Sequence, residues 1–270
     1  EEYLINNIAD EVFMLWINKP SILIGRNQST LSEINIDYIK ENNIKVVRRL
    51  SGGGAVYNDY GNMNFTFITN KNRSDTRATN GFEKFATPVI NALRSLGADA
   101  VFTGRNDITI KGKKISGNAQ YHHKGRLLHH GTLLYDCDML KLSSALRSKP
   151  IKFVDKSVKS VGSRVTNIID HIDEKMSLDE FREYLKGYVI DTYKIGTIYE
   201  FTGKDLEEIK KISEKRFETW QWNYGKSPNY RYTNSVKCPS GIVEYHLEVE
   251  GGIIKNIIIY GDFLDRKSVV

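Results

Sequence analysis

Short apolar runs along the chain predict the strands of a sheet core. Each run is bounded by Gly, Asn or Arg, as is typical of buried strands. The runs are 21–24, 44–47, 63–68 and 107–110. Gly112 then separates the last run from a predicted strand at 114–121, and a Lys124–Gly125 turn precedes 127–134. Turns of this kind predict a three-stranded antiparallel meander.

Two helices are predicted from apolar residues that recur at every third or fourth position. The first begins at a capping box formed by Asn80 and Glu83 and ends at Gly97. Its predicted inner face consists of Phe82, Phe85, Val89, Leu93 and Leu96. A second capping box, Ser177 with Glu180, begins a helix that we expect to cover the sheet. Its predicted inner face consists of Leu178, Phe181, Leu185 and Val189.

The C-terminal part predicts a helix, a linker and a hairpin. The apolar positions of the helix are Leu206, Ile209, Ile212 and Trp220. Residues 222–228 contain Gly and Pro and are typical of a linker. From 243 to 250 apolar residues alternate strictly with polar ones, and Gly251–Gly252 precedes another apolar run. This pattern predicts a half-exposed β-hairpin.

These elements predict a large domain at 1–225, followed at 226–270 by the linker and the first hairpin of a small accessory domain. About 40 residues are too few for an independently stable domain. We therefore expect the accessory domain to be truncated at the C-terminus. We also expect the N-terminal domain to be incomplete, because the chain begins inside a predicted helix.

Composition and charge narrow the class of protein. The chain has 270 residues, of which 40% are hydrophobic, enough for a substantial core. No apolar run approaches the roughly 20 residues needed to cross a bilayer, and the first residues do not resemble a secretory signal. We expect a soluble, cytoplasmic protein with no membrane partner. The net charge of +6 comes largely from scattered lysines and suits an anionic nucleotide or an acidic protein. Nucleic acid is not expected as a partner.

Cysteine and histidine spacing does not predict a metal centre. Cys137 and Cys238 lie far apart and outside any CxxC motif, so neither a disulfide framework nor a thiolate zinc site is predicted. Four of the six histidines form adjacent pairs at 122–123 and 129–130. Adjacent residues on a strand point to opposite faces, so each pair can offer one ligand, and no HExxH or Cys/His spacing supports zinc.

The most informative pattern is a strand that runs into three consecutive glycines, Gly52 to Gly54, and resumes as a strand. Glycine backbone can approach a ligand closely, and its amides can cradle an anion. Arg48 and Arg49 lie a few residues before the loop and can donate to a phosphate or a carboxylate. The alternative is an ordinary glycine-rich turn. The loop lacks the GxxxxGK[ST] pattern of a P-loop.

A second polar pattern follows the meander. It consists of Asn106 and Asp107, then Lys114, then the pair His129–His130. The predicted hairpins bring the acid, the lysine and the histidines together. A strand-borne lysine that faces inward needs an anion, whereas a lysine beside a turn is usually solvated. Taken alone, the position of Lys114 favours the solvated alternative.

The order and spacing of these patterns resemble the lipoate–protein ligase family along nearly the whole chain. The segments that carry the resemblance are 1–4, 24–28, 48–59, 61–62, 65–67, 104–107, 114–117, 163–167 and 222–228. No single segment is specific, but the combination is. The resemblance implies an α+β fold, a catalytic domain of mixed β-sheets flanked by helices like that of biotin ligases and class II aminoacyl-tRNA synthetases.

The resemblance also implies site residues. Those expected to bind ATP and lipoyl-AMP are Arg49, Gly54, Ala55, Val56, Tyr57 and Lys114. Those expected to contact lipoate are Gly52, Gly53, Lys114 and His130. Lys114 is expected to be the catalytic residue, and Asp107, with Asn106 beside it, is expected to hold Mg²⁺.

The implied activity is ATP-dependent lipoylation. Lipoate would be activated to lipoyl-AMP with release of pyrophosphate and then transferred to a lysine of apo lipoyl domains, in 2-oxoacid dehydrogenase complexes or the glycine-cleavage carrier protein. Two alternatives stay open. One is an ATP-independent octanoyl or lipoyl transferase of the same fold, which would need an activated cysteine that the sequence does not display. The other is a non-catalytic protein that binds lipoate or a nucleotide. The arginine-rich glycine loop of a biotin ligase is absent.

Overall fold

A computed structural model describes residues 1–70, 81–146, 164–238 and 241–261, which form three β-sheets flanked by helices. The first elements are α1 (Glu2–Asn7), β1 (Val12–Ile17), β2 (Ser21–Ile24), α2 (Thr30–Glu33), α3 (Ile36–Glu41), β3 (Lys45–Arg48), β4 (Val56–Asn58) and β5 (Asn62–Asn70). The middle of the chain forms α4 (Gly81–Ser95), β6 (Ala100–Thr103), β7 (Asp107–Ile110), β8 (Lys113–His123), β9 (Arg126–Leu134) and α5 (Met139–Ala145). The last elements are α6 (Leu178–Tyr193), α7 (Gly203–Ile212), β10 (Tyr230–Cys238), β11 (Gly241–Glu250) and β12 (Ile253–Gly261). The expected α+β class is confirmed.

The main sheet has six strands in the order β1-β5-β9-β8-β7-β6, and every neighbouring pair is antiparallel. The predicted meander β7-β8-β9 is confirmed. Its two turns are Lys111–Gly112 and Lys124–Gly125, and all four residues have positive φ, between 47° and 76°. Two-residue hairpin loops with positive φ at both positions match the twist of the strands they join.

Helices α4 and α6 pack on the main sheet and complete its core. The predicted inner faces are confirmed, since Phe85, Val89 and Leu93 of α4 and Phe181 and Leu185 of α6 are all buried in one cluster. The capping box at the start of α6 is also confirmed, with Ser177 and Glu180 each bonded to the backbone of the other. Asn80, the predicted cap of α4, lies outside the described residues.

The second sheet has three strands in the order β3-β2-β4 and determines the course of the glycine loop. Strand β3 is one residue later in the chain than predicted. It is parallel to β2, whereas β4 is antiparallel to β2 on the other side. Residues 49–55 must therefore cross the end of β2. At the crossing, a Cβ atom on Gly25 would lie 1.9 Å from the carbonyl oxygen of Gly53, so only glycine allows this close approach.

The stretch after α6 differs from its prediction. The predicted helix through Trp220 ends at Ile212, and the chain continues in wider π-helical turns at Ser213–Phe217 and Gln221–Gly225. Leu206 and Trp220 are exposed, so the apolar positions do not form a buried face. None of the helices in the described ranges combines the length and apolar character of a membrane span.

The third sheet has the order β10-β11-β12, with antiparallel neighbours. It contains the predicted hairpin, which turns at Gly251–Gly252, together with a strand, β10, that was not predicted. The division of the chain at 225/226 stays a prediction.

Candidate active site

Two cavities lie where the crossing loop, residues 49–55, faces β8 and β9. The smaller cavity has a volume of about 110 Å³, and Trp16, Leu23 and His130 are among the residues that line it. The larger cavity has a volume of about 670 Å³. The residues that line both are Ala55, Val56, Lys114 and Thr132. The two cavities therefore share a wall.

A register shift in the β7–β8 hairpin sets the direction of the Lys114 side chain. Asp107 pairs with Gly117, and Thr109 pairs with Lys114, which leaves Ile115 as the extra residue of a bulge. Side chains directly opposite each other in a ladder lie on the same face. The bulge therefore brings Lys114 onto the face of Asp107 and Gly117, while Ile115 is buried.

The Lys114 ammonium lies over Gly117 and is paired with Asp107. Its Nζ is 2.8 Å from Asp107 Oδ1, and both side chains are more than one-third exposed. A Cβ atom on Gly117 would lie 2.8 Å from that Nζ. Lys114 is thus neither buried nor freely solvated, and glycine at 117 leaves the space that its ammonium occupies.

Arg49 stabilises the glycine loop through hydrogen bonds from its guanidinium. Its guanidinium donates to Leu23 O at 3.0 Å, to Ser51 Oγ at 3.1 Å, to Gly52 O at 2.7 Å and to Gly54 O at 2.8 Å. Burial lowers the pKa of Arg49 to about 10, so it keeps its charge at neutral pH. The same side chain lines the smaller cavity and places a positive charge at its wall.

Arg48 has a different role from its neighbour. It is fully buried, and its guanidinium donates to backbone and hydroxyl oxygens. The acceptors are Trp222 O, Gly25 O, Arg26 O, Gln28 O, Thr30 Oγ1, Asn223 O and Ser227 Oγ. The expectation that Arg48 donates to a phosphate or carboxylate is therefore wrong. Its contacts also hold residues 222–227 against β3, so the stretch predicted as a linker is docked there.

His130 belongs to a hydrogen-bonded group beside the smaller cavity. Its Nδ1 lies 2.7 Å from Glu1 Oε1 and its Nε2 lies 2.6 Å from Ser51 Oγ. Thr66 donates to the same Glu1 oxygen at 2.8 Å and accepts from Trp16 Nε1 at 3.0 Å. Burial alone would raise the pKa of Glu1, but the charge and hydrogen bond of His130 outweigh it and lower the pKa to about 2. These contacts fix the ring of His130 at the cavity wall.

His129 points to the opposite face and is part of the core. Its ring stacks on Phe85 and Phe65, with centroids 4.9 and 6.0 Å away. Its Nε2 lies 3.2 Å from Asn118 Oδ1, and its Nδ1 lies 3.2 Å from Gln120 Nε2. A neutral ring protonated on Nε2 satisfies both contacts. Burial lowers the pKa of His129 to about 3, so the ring is neutral and holds Asn118, which lines the smaller cavity.

The structure brings together nearly all the residues that were expected from the sequence to form the site. The expected residues at the smaller cavity are Arg49, Gly53, Gly54, Ala55, Val56, Lys114, His130 and the neighbouring Asn106. Those at the larger cavity are Ala55, Val56, Tyr57, Asp107 and Lys114. Gly52 lines neither cavity, and its carbonyl accepts from Arg49 instead.

Several lining residues were not predicted, among them Trp16, Asn64 and Thr132. Thr132 could have been found, because it follows His130 by two positions in β9 and must face the same side. Trp16 and Asn64 are partners across β1 and β5. Their position depends on a long-range pairing that periodicity does not give.

Cys137 does not have the environment of a nucleophile. It is buried, and that burial, with neighbouring Asp59 as a lesser cause, raises the pKa of its thiol. A thiolate is therefore not populated at neutral pH. Cys238 ends β10, where it pairs with Gly241.

Comparison with known proteins assigns the family. Residues 1–190 match the model of the lipoyl protein ligase A/B catalytic domain, and residues 227–270 match that of the bacterial lipoate protein ligase C-terminus. The chain therefore belongs to the lipoate–protein ligase family, and the expected family and enzyme class are confirmed.

Individual relatives agree with this assignment. The lipoate-protein ligase LplJ of Bacillus subtilis is 46% identical over 267 residues, which cover 97% of this chain and 80% of the relative. A bipartite lipoate protein ligase of Thermoplasma acidophilum, studied with its E2 lipoyl domain, has a TM-score of 0.71 at 33% identity. The match covers 83% of this chain and 89% of the Thermoplasma chain. A lipoate-protein ligase A bound with ATP gives the same TM-score at 30% identity and covers 83% of this chain and 91% of its own.

Proposed function

We propose that this protein activates lipoate with ATP and transfers the lipoyl group to a lysine of a lipoyl domain. The position of Lys114 carries the proposal, because its side chain lines both cavities. The smaller cavity, with Trp16 and Leu23 in its wall, suits an alkyl chain. The larger one, with its additional basic residues, suits a nucleotide. An ammonium between them can meet the carboxylate of one substrate and the α-phosphate of the other.

The first half-reaction brings two anions together. A carboxylate oxygen of lipoate attacks the α-phosphorus of ATP, the new oxygen–phosphorus bond forms, and the bond to the β-phosphate oxygen breaks. Pyrophosphate leaves with that electron pair, and lipoyl-AMP remains. Lys114 offsets the repulsion between the anions and the charge that builds on the α-phosphate. The four donors of Arg49 keep the glycine-loop backbone at the cavity wall during this step.

In the second half-reaction a carrier lysine replaces AMP. The neutral amine attacks the acyl carbon of lipoyl-AMP, the carbon–oxygen bond to AMP breaks, and the amine proton is released to solvent. No residue of this chain is acylated. The proposed roles are those expected from the sequence: Ala55, Val56 and Tyr57 for the nucleotide, Gly53 and His130 for lipoate, and Lys114 for both. Arg49 and Gly54, also expected to bind the nucleotide, line the smaller cavity and would contact it as lipoyl-AMP, whose acyl group would occupy that cavity. Gly52 acts through its bond to Arg49.

Mg²⁺ is proposed to accompany ATP. The described residues contain no cluster of three or more His, Cys, Asp or Glu side chains that could hold a metal ion. Mg²⁺ is commonly held by one or two carboxylates together with substrate phosphates and waters, and Asp107 at the larger cavity fits as one such carboxylate. Bound there, the ion would offset phosphate charge. Asp107 would then exchange its partner Lys114 for the ion.

The proposed carriers are apo lipoyl domains of 2-oxoacid dehydrogenase complexes and the glycine-cleavage carrier protein, in the cytoplasm. The Thermoplasma relative studied with its E2 lipoyl domain supports this choice. Cys137 gives the thiol transferase alternative no support, because burial keeps its thiol protonated. We further propose that residues 1–225 form the catalytic unit and that 226–270 belong to an accessory unit.

ATP–pyrophosphate exchange tests the proposal. We expect exchange that requires lipoate, and we expect Lys114→Ala to abolish it without loss of fold, because the side chain is more than one-third exposed. Lys45→Ala is the matched control, since Lys45 is an exposed strand lysine that lines neither cavity. Exchange that does not need lipoate, or a Lys114→Ala variant as active as the control, would contradict the proposal.

A further inference from the structure

The larger cavity is lined by three cations that are not among the site residues expected from the sequence. These are Lys111, Lys113 and Arg164, and all three are exposed. Among the described residues of the lining, Asp107 is the only acid, and it is already paired with Lys114. Within the described ranges none of the three additional cations has a carboxylate partner. The cavity wall thus carries three positive charges without a counter-charge.

The same β-ladder that positions Lys114 positions these cations. Lys111 occupies the two-residue turn between β7 and β8, with φ of 49°, and Lys113 begins β8 directly after it. On the other side, Val165 forms a parallel bridge with Lys114, and the amide of Thr166 donates to Lys114 O at 3.1 Å. Arg164 therefore lies on a segment that is hydrogen-bonded to Lys114.

Like charges gathered around one cavity repel each other and concentrate a positive field inside it. Such a wall favours a ligand that carries several negative charges on adjacent groups. A monocarboxylate has one charge and needs no more than Lys114. The β- and γ-phosphates of a nucleoside triphosphate supply several charges on neighbouring phosphorus atoms.

We propose that Lys111, Lys113 and Arg164 form a subsite for the β- and γ-phosphates of ATP, and hence for departing pyrophosphate. The inference rests on the proposed function for the identity of the nucleotide. When the bond between the α-phosphorus and the bridging oxygen breaks, the electron pair passes to pyrophosphate. The three cations stabilise that developing charge, while Lys114 stays with the α-phosphate and the carboxylate.

A pair of nucleotide affinities tests the subsite without turnover. The dissociation constants of AMP and of α,β-methylene-ATP are measured by calorimetry for the full chain and for the Lys111→Ala/Lys113→Ala variant. We expect the preference for the triphosphate to fall by about tenfold, from two lost charge-assisted contacts, while AMP binds as before. The control removes two exposed lysines elsewhere, Lys45→Ala/Lys175→Ala. The loss should shrink at high ionic strength.

A second measurement separates the subsite from a docking surface for an acidic carrier. Each variant transfers lipoate from supplied lipoyl-AMP to an apo lipoyl domain in a single turnover. We expect the Lys111/Lys113 double variant to match the control, with a raised KM for pyrophosphate in exchange. An unchanged preference for the triphosphate, or slow transfer with normal exchange, would overturn the subsite. Absence of lipoate-dependent exchange in the unaltered protein would instead refute the proposed function. The dissociation constants of AMP and α,β-methylene-ATP would still show whether the three cations bind the β- and γ-phosphates.

Discussion

Replacing Gly117 by alanine should impair catalysis while leaving the fold nearly unchanged. The added Cβ would lie 2.8 Å from Lys114 Nζ and 3.0 Å from Lys114 Cε. Ordinary contacts of a Cβ atom begin at about 3.4 Å, so the ammonium must move by roughly 0.6 Å or more. The atoms that clash are the flexible end of a partly exposed side chain, which can move without disturbing the core.

The size of the effect follows from that displacement. Misplacing a reacting or charge-stabilising group by about 1 Å can cost about 100-fold in rate. We therefore expect kcat for lipoate-dependent ATP–pyrophosphate exchange to fall by about 10- to 100-fold in Gly117→Ala. The free energy of unfolding should change by less than about 1 kcal/mol, as for substitutions that leave core packing intact.

The assay is exchange at saturating ATP and lipoate, paired with urea unfolding of each variant. Gly187→Ala in α6 is the matched control, because no heavy atom outside its own helix backbone lies within 4 Å of its Cβ position. That variant should keep full activity. A Gly117→Ala variant with unaltered kcat, or one whose activity falls only as far as its folded fraction, would refute the positioning of Lys114 by this glycine.

Three further predictions concern the loop, the core histidine and the cysteines. Gly25→Ala should lower the exchange rate per folded molecule, because its Cβ would lie 1.9 Å from a carbonyl oxygen of the glycine loop. The control is Gly61→Ala, whose Cβ would lie at the same distance from a carbonyl oxygen outside the loop and which should lower only stability. Urea unfolding and exchange assays of both variants check this. The pKa of His129 is about 3 in the folded protein, below its unfolded value of about 6.5. Its contribution to the free energy of unfolding is therefore present above pH 6.5 and is lost as the pH falls towards 3. Between pH 7 and pH 5 the free energy of unfolding should fall by about 2 kcal/mol. Urea unfolding at the two pH values should show this loss in the unaltered protein and a smaller one in His129→Gln; equal losses would contradict it. Cys137→Ser with Cys238→Ser should still lipoylate an apo carrier with ATP, measured by mass spectrometry, and an inactive but folded variant would favour a thiol mechanism.

Periodicity and turn chemistry predicted much of the fold because both are local. The capping box at Ser177 and the turns at Gly112 and Gly125 lie within a few residues of the elements they end or begin. The meander and the core faces of α4 and α6 followed from these signals. Strand β1 and its pairing with β5 were not predicted, because the partners are about 50 residues apart and periodicity carries no information about pairing.

The candidate site shows where local information ends. Arg48 and Arg49 look equivalent in sequence, yet the acceptors of Arg48 include residues more than 170 positions away, at 222–227. Lys114 looked like a solvated lysine beside a turn. Only the bulge at Ile115, a register property of two paired strands, shows that it shares a face with Asp107.

The most direct test of the central claim is the mass of an apo lipoyl domain after incubation with this protein, lipoate, ATP and Mg²⁺. We predict one lipoyl group on a single lysine, with one AMP and one pyrophosphate released per group transferred, and no modification when ATP is omitted. Lipoylation without ATP from an acyl-carrier donor would contradict the account. The account would also be contradicted if this protein, folded in the assay, left the carrier unmodified while a lipoate–protein ligase of known activity lipoylated the same carrier.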